Sequence, residues 1–404
     1  MAENKNLRPL LKYPGGKERE LNHINDALPS IINNYYEPFL GGGAVYFNIN
    51  AKHYYVNDKS KELMDFYKNI ASQNNVFFEK LESINDNWKL ITDISEKHSE
   101  ELLQIFYDFY SDNLDERQLS NMLFQFVLHN IKEFNGLLTS DFNVAIEDFI
   151  NILKRTLLRR YKRMKELSKE SGVLKETDIK DNIEASLKAS FYTHLRNIQN
   201  NSEEFNISNG YSSALYFFIR QTCYSSMFRY NKSGGFNVPY GGISYNKTNF
   251  DKNLSYFSSK KLINHFSKTT FGNMDFYDFM NKYEPEKNDF IFVDPPYDSE
   301  FSTYSKNEFV ESDQERLANY LINNCKGNFM LVIKNTDLIS SLYVQGTKTA
   351  NKDKIYISSF DKNYSVSFKN RNNKKVQHLV ITNYPRVNLD RSEVKFKGKY
   401  EVKN

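Results

Sequence analysis

The segment IFVDPPYDSEF, residues 291–301, places an acid, two prolines and an aromatic ring at the end of an apolar run. Proline fixes φ and removes an N–H, so Pro295 and Pro296 make a stiff corner that a continuing strand ladder cannot use. Such a corner can hold three groups in fixed relation around one flat substrate. They are the Asp294 carboxylate, a main-chain carbonyl and the ring of Tyr297. At this point the alternative is structural, because Asp beside Pro is also ordinary turn chemistry.

A second set of residues lies near the N-terminus. EPFLGGG puts Gly41, Gly42 and Gly43 where a first strand turns into a helix. Glycines there let a ligand approach the backbone and its amide hydrogens. Asp58 follows at the tip of the next strand, placed to take both hydroxyls of an adenosine ribose. A glycine turn followed by an acid at the next strand end reads as a nucleoside site; the alternative is a plain tight turn with an exposed acid. A nicotinamide-dinucleotide fingerprint fails, since Gly41 and Gly43 are followed by Tyr46 and not by a small residue. Upstream, LLKYPGGKERE sets Lys17 just after a Gly15–Gly16 turn, where a cation can meet a ligand carboxylate. Taken by itself, Lys17 reads as a solvated surface residue.

The elements that must position these residues alternate at both ends of the chain. YYEPFL and YYVND read as strands, AVYFNIN and SKELMDFYKNI as helices, giving a βαβα start to a parallel sheet. From about 76 to 222 the apolar period is helical, as in ELLQIFYDFY, NMLFQFVLHNIKEF and ALYFFIRQTCY. Residues 229–250 are rich in Gly, Asn and Pro and read as a loop or short hairpin. DFIFVD, SDQERLANYLINNC, NFMLVIKN and HLVITNY then resume strand and helix signals. The expected fold class is α/β, a Rossmann-like sheet interrupted by a mostly helical insertion and resumed near residue 265. The expected division is 1–75, 76–250 with a hairpin at 224–243, and 251–404.

The whole chain narrows the classes. At 404 residues it can bury a large core, and a net charge of +4 gives no global basic coat, so any nucleic-acid face must be local. Cys223 and Cys325 offer neither a disulfide framework nor zinc spacing, and no metal site is expected. MAENKNLRPL lacks the apolar core of a signal peptide and no run reaches membrane-spanning length, so a cytoplasmic protein is expected.

Six motifs, taken together, resemble one family. LKYPGGK, EPFLGGGAVYF, VNDKSKELMDFY, RYNKSGGFNVPYG, FVDPPY and KVQHLVITNY occur in the order found in Dam-like adenine-N6 DNA methyltransferases, the D12 class with alpha-group motif order. They span most of the chain outside roughly 80–205. The resemblance implies a methyltransferase sheet, S-adenosylmethionine as cofactor and double-stranded DNA as partner. It implies a target adenine flipped out of the stack, because a base inside the duplex cannot be reached. Tyr13, Gly15, Gly16 and Lys17 would meet the methionine part of the cofactor. Glu37, Phe39, Gly41 and Gly43 would line its centre, Asp58 its ribose, and Asp275 with Phe276 its adenine. Asp294, Pro295, Pro296 and Tyr297 would be catalytic.

For DNA, the resemblance assigns Arg229 to a guanine, Met227 and Pro239 to thymine methyls, and Tyr224 with Ser225 to the gap left by the flipped base. Lys12 would contact the guanine 5′ to the target adenine, and Asn231 joins this set. The pattern points to 5′-GATC-3′. It departs at Gly242 and Ile243, where many members have Arg-Tyr, and at Gln221, where arginine is common. The family context is a restriction–modification pair with a separately acting endonuclease, or a phage. Cytosine-N4 methylation, RNA adenine methylation and a catalytically inactive DNA-binding relative are the alternatives; N4 enzymes usually carry Ser where Asp294 stands. In the insertion, LKRTLLRRYKRMK (153–165) puts Leu153, Leu157, Tyr161 and Met164 on one stripe. Arg155, Arg159, Lys162 and Arg163 lie elsewhere, as a solvated face or a phosphate-contacting arm.

Overall fold

The structure, a computed structural model, describes residues 7–137, 146–296, 309–362 and 376–385. They form two compact units. One comprises the described residues of Met1–Pro9, Gly15–Met64 and His265–Asn404; the other comprises Leu10–Pro14 and Asp65–Asn264.

The first unit is a seven-stranded sheet in the order β3-β2-β1-β4-β5-β7-β6. Its strands are β1 (Asn34–Glu37), β2 (His53–Val56), β3 (Thr269–Phe271), β4 (Phe290–Val293), β5 (Asn328–Lys334), β6 (Tyr356–Lys362) and β7 (Val376–Thr382). The first five in that order pair in parallel, while β7 is antiparallel to β5 and to β6. All four residues of β4 are buried, as is the centre of β5. Continuous apolar strands of this kind suit a parallel sheet covered on both faces. Tyr36, Ile291, Val293, Phe329 and Leu331 pack with Phe276, Phe279 and Leu317 in one core cluster.

Two local expectations change. AVYFNIN is a succession of turns, not a helix. Val45, Tyr46 and Phe47 are buried while Asn48 and Asn50 are exposed, and the backbone bonds of Phe47 N to the Gly43 carbonyl and Ile49 N to the Val45 carbonyl are joined by tertiary ones. Tyr46 Oη meets Thr269 Oγ1 at 2.6 Å, and Tyr54 Oη donates to the Ile49 carbonyl at 3.1 Å. The edge strand β3 was not among the expected strands, and neither was β6 at the other edge. The latter is half-buried and polar in its middle, and its pairing with β7 is what defines it.

The second unit is helical. Its longer helices are Asn75–Lys97, Ser99–Tyr110, Glu116–His129, Ile146–Ser171, Glu176–Asn200 and Asn209–Thr222. Local capping starts several of them: Asn74 accepts from Phe77 N, Asp115 forms a capping box with Gln118, and Ser208 accepts from Tyr211 N. The unit begins at Asp65 because Phe66 stacks on Phe217 and packs edge-on against Phe77 and Phe257. It extends past residue 250 because Asp251 accepts from Asn85 at 2.7 Å and Phe257 packs on Phe217. Among the described residues no helix is long and apolar enough to cross a membrane.

Candidate active site

Strands β2, β1 and β4 are neighbours and parallel, so their carboxyl ends open side by side, the place where open α/β sheets bind ligands. Glu37 ends β1, Asn57 and Asp58 follow β2, and Asp294 follows β4. Lys17 joins them. Its side chain is only 3 % exposed, which overturns its reading as a surface residue, and its ammonium forms an ion pair with Asp294 Oδ2. Lys17 Nζ also donates to the Gly15 carbonyl at 3.0 Å, so the Gly15–Gly16 turn sets where the charge sits.

Glu37 is buried beside this pair and accepts from Tyr35 Oη at 2.9 Å. Burial pushes its carboxyl well above the usual carboxylate range; the Tyr35 hydroxyl opposes that, the Asp294 charge adds to it, and Lys17 opposes it again. Lys17 thus pairs with Asp294, while Glu37, buried beside them, is pushed toward its protonated form.

Gly41 and Gly43 have φ of +49° and +69°, conformations a side chain would strain, and Gly43 N closes a turn on the Leu40 carbonyl. Asp58 is held from both ends: Oδ2 accepts from Gly41 N at 3.0 Å and Oδ1 from Ser60 N at 2.9 Å. Burial raises the Asp58 pKa and these backbone N–H groups pull it back. Asn57, which the sequence reading passed over, ties the loops together. Its amide donates to the Pro38 and Met274 carbonyls and accepts from Met274 N. At Gly272 a Cβ would come within 2.6 Å of Asn57 Oδ1, so only glycine fits beside it.

Asp275 caps the Phe276–Tyr283 helix through Tyr277 N and pairs with Arg316 at 2.7 Å. Arg316, which no local signal marks, also lies over the Phe276 and Tyr277 rings. Phe39 packs on Phe276 and Phe309. The structure therefore brings Gly15, Lys17, Glu37 and Asp294 together, Gly41 together with Asp58, and Phe39 together with Phe276. Pro295 and Pro296 continue from Asp294, and Gln314 Nε2 donates to the Pro296 carbonyl at 3.1 Å. Tyr297 lies outside the described residues.

The other set belongs to the second unit. Residues 223–240 form an irregular hairpin closed by isolated bridges, Cys223 to Tyr240 and Tyr230 to Phe236. Tyr224 is 47 % exposed, and Ser225 and Ser226 both have φ of +51°, a strained turn for non-glycine residues. Arg220 underlies that turn. It is buried, donates to the Ser226 and Met227 carbonyls, and stacks on Phe228 at 3.5 Å. Arg229 is exposed, and Asn237 holds it at Nε (2.8 Å) and Nη2 (3.0 Å). Asn231 closes the hairpin tip by accepting from Ser233 and Gly235 N–H groups, while Tyr224 N bonds the Pro239 carbonyl. Lys12 is exposed, and Tyr13, expected at the cofactor, packs on Phe228 in this unit.

In the Ile146–Ser171 helix the stripe Leu153, Leu157, Tyr161 and Met164 is buried. Lys162 pairs with Glu116 and Arg163 with Glu166, which favours the solvated face over the phosphate arm.

Comparison with known proteins agrees with this arrangement. The profile described as D12 class N6 adenine-specific DNA methyltransferase matches residues 13–189 and 125–358. The chain is 22% identical over 387 residues to the type II methyltransferase M.CviBI of Paramecium bursaria Chlorella virus NC1A, covering 94% of this chain and 100% of that one. It is 26% identical over 354 residues to the type II methyltransferase M.MjaIII of Methanocaldococcus jannaschii, covering 83% and 88%. A shorter match, 34% over 148 residues, is to the retron Ec67 DNA adenine methylase of Escherichia coli, covering 35% and 49%. With a profile match across most of its length, this chain belongs to the D12 class of N6 adenine-specific DNA methyltransferases.

Proposed function

We propose that this methyltransferase takes its methyl group from S-adenosylmethionine and acts on an adenine flipped out of duplex DNA, with 5′-GATC-3′ as its target. The observation that carries the reading is Asp294 at the tip of β4, paired with buried Lys17 beside buried Glu37. The cofactor supplies an electrophilic sulfonium methyl. The Asp294 carboxylate suits that cation, and the turn at Gly41 and Gly43 suits close backbone approach. Lys17 and the Gly15–Gly16 turn would hold its amino-acid end, with Tyr13 nearby in sequence. Glu37 and Phe39 would hold its centre, Asp58 its ribose hydroxyls, and Asp275 with Phe276 its adenine.

The nucleophile needs help, because the N6 lone pair of adenine is delocalised into the ring. Asp294 accepting one N6–H and the Pro295 carbonyl accepting the other would turn the nitrogen toward tetrahedral geometry and localise that pair. Pro295 and Pro296 keep the two acceptors fixed, and Tyr297 would stack on the base. Catalysis then rests on positioning and directed hydrogen bonds. Arg229 would read a guanine, with Met227, Pro239, Lys12 and Asn231 around it and Tyr224 and Ser225 filling the gap. Relatives named as type II methyltransferases support a place in a restriction–modification pair, beside a separate endonuclease.

Two measurements test the reading. The purified protein is given radiolabelled S-adenosylmethionine and unmethylated duplex DNA, and DNA from a methylation-free expression strain is sequenced by a single-molecule method. N6-methyladenine confined to GATC is the expected result. Methylation at another sequence removes the GATC assignment, and label on cytosine or on RNA alone removes the mechanism.

A further inference from the structure

The Glu176–Asn200 helix reaches the backbone of the hairpin and of the segment just after it with four side chains spaced every four residues. Lys188 Nζ donates to the Asn246 carbonyl and to Thr92 Oγ1, with Glu184 at 2.7 Å as its counter-charge. Tyr192 Oη and Arg196 Nη1 both donate to the Val238 carbonyl, each at 2.8 Å. Asn200 takes the Phe236 N–H on Oδ1 at 2.8 Å and returns Nδ2 to the Phe236 carbonyl at 3.0 Å. Its amide thereby imitates a strand partner. Residues four apart on an α-helix lie one above the other, so these four make a slowly winding polar stripe.

The hairpin needs such a support. It has two isolated bridges and no regular ladder, and a two-stranded ribbon is marginal by itself. Two of the clamped residues, Phe236 and Val238, each precede a residue that holds or belongs to the set proposed to read DNA. Phe236 precedes Asn237, whose side chain and carbonyl hold Arg229. Val238 precedes Pro239, whose carbonyl holds Tyr224 N.

We propose that Lys188, Tyr192, Arg196 and Asn200 are positioning residues for target recognition: the helix is a template that fixes the hairpin, and so sets which bases the enzyme accepts. This rests on the reading of the hairpin as the DNA reader. Its reach is the task of the helical insertion, which the reader residues alone leave without one.

The test uses the full-length enzyme, its target duplex as mapped by sequencing, and duplexes that each carry one base-pair change. Asn200→Asp keeps the shape but turns a carboxylate oxygen toward the Phe236 carbonyl. Tyr192→Phe/Arg196→Met leaves the Val238 carbonyl without either donor. Both variants should lose discrimination by about three- to tenfold, the scale of a lost hydrogen bond, through KM more than kcat. Cofactor affinity by calorimetry should hold within about twofold, since the groups removed bond the Phe236 and Val238 backbone and none of the residues proposed to hold the cofactor. Tyr192→Phe/Arg196→Lys restores one donor and should recover most of the discrimination. Asn200 lies at the exposed end of the stripe, so its variant remains foldable if the double variant is not.

Arg229→Lys, measured beside them, separates two failures. If it relaxes discrimination while the clamp variants lower only the melting temperature, the stripe is structural and the proposal is overturned. If discrimination is unchanged in all of them, the hairpin is not the reader and the reading beneath the proposal falls with it.

Discussion

At the tip of β4, Asp294 meets Lys17 inside the first unit and Glu37 lies buried beside them; in the second unit Arg229 and Tyr224 stand in solvent on a hairpin without a ladder. In the first region the groups proposed for the chemistry hold one another, because buried charges must be paired and hydrogen-bonded to stay where they are. In the second, groups that must remain available to a partner cannot hold one another. Their order comes from side chains that never meet the partner: Asn237 behind Arg229, Arg220 under Ser226, and the polar stripe behind Phe236 and Val238. Chemistry is therefore fragile at its own residues, and recognition is fragile one layer behind its own.

The sharpest break is at Asp294. Removing its side chain altogether would strand buried Lys17, so Asp294→Asn is the cleaner change. It should lower turnover by roughly 10²–10³-fold or more, the scale of losing a preorganised group at the reacting atom. Cofactor affinity should stay within a few-fold. Single-turnover methylation with near-normal rate would remove Asp294 from the reaction.

Asp58→Ala should do the reverse. On the proposed role of Asp58, two charge-assisted hydrogen bonds to the ribose would be lost, so calorimetry should show cofactor binding weakened by roughly ten- to a hundredfold. Unchanged affinity would return Asp58 to the role of a loop anchor for Gly41 and Ser60.

For recognition, Arg229→Lys keeps the charge and loses both the planar fork and its seat on Asn237. Discrimination at one outer base pair should fall by about 1–3 kcal/mol, with a smaller loss of activity on the native site. A panel of single-change duplexes measures it, and equal discrimination across the panel would make Arg229 a backbone anchor.

Glu37 sharpens the comparison through pH. Its raised folded-state pKa means that the folded protein holds this proton to higher pH than the unfolded chain, whose value is near 4.5. The contribution of Glu37 to stability is complete below that pH and is lost as pH rises through the folded-state pKa. In the absence of cofactor, Glu37→Gln should thus gain on the wild type as pH rises. Each tenfold separation of the two acid constants is worth about 1.4 kcal/mol. Urea unfolding at pH 5 and pH 8 shows it, and parallel curves for the two proteins would contradict the buried, charge-crowded setting.

The smallest effect is expected from the basic helix. Converting Arg155, Arg159, Lys162 and Arg163 to Ala should leave the salt dependence of DNA binding unchanged, since Lys162 and Arg163 already have carboxylate partners in their own unit. A slope flattened by about one per residue would instead make the helix a phosphate arm.

The sequence by itself determined five of the sheet's strands, the glycine turn, the acid after β2, the proline corner and the apolar stripe of the Ile146–Ser171 helix. These are written in local chemistry: proline and glycine act on their own φ, apolar period follows the element it sits in, and capping needs only three or four residues. Tertiary structure decided what local chemistry cannot express. Lys17 and Asp294 are 277 residues apart, and only the sheet makes them an ion pair and turns a surface lysine into a buried one. AVYFNIN has helical spacing, yet with tertiary bonds at Tyr46 and Ile49 it is a succession of turns. β6 becomes a strand because β7 offers it a ladder, and Arg316 finds Asp275 from another helix. The stripe from Lys188 to Asn200 has a legible period, but its meaning lies in the backbone it faces. A side chain's type and spacing are properties of the chain; its partner depends on which surfaces folding brings together.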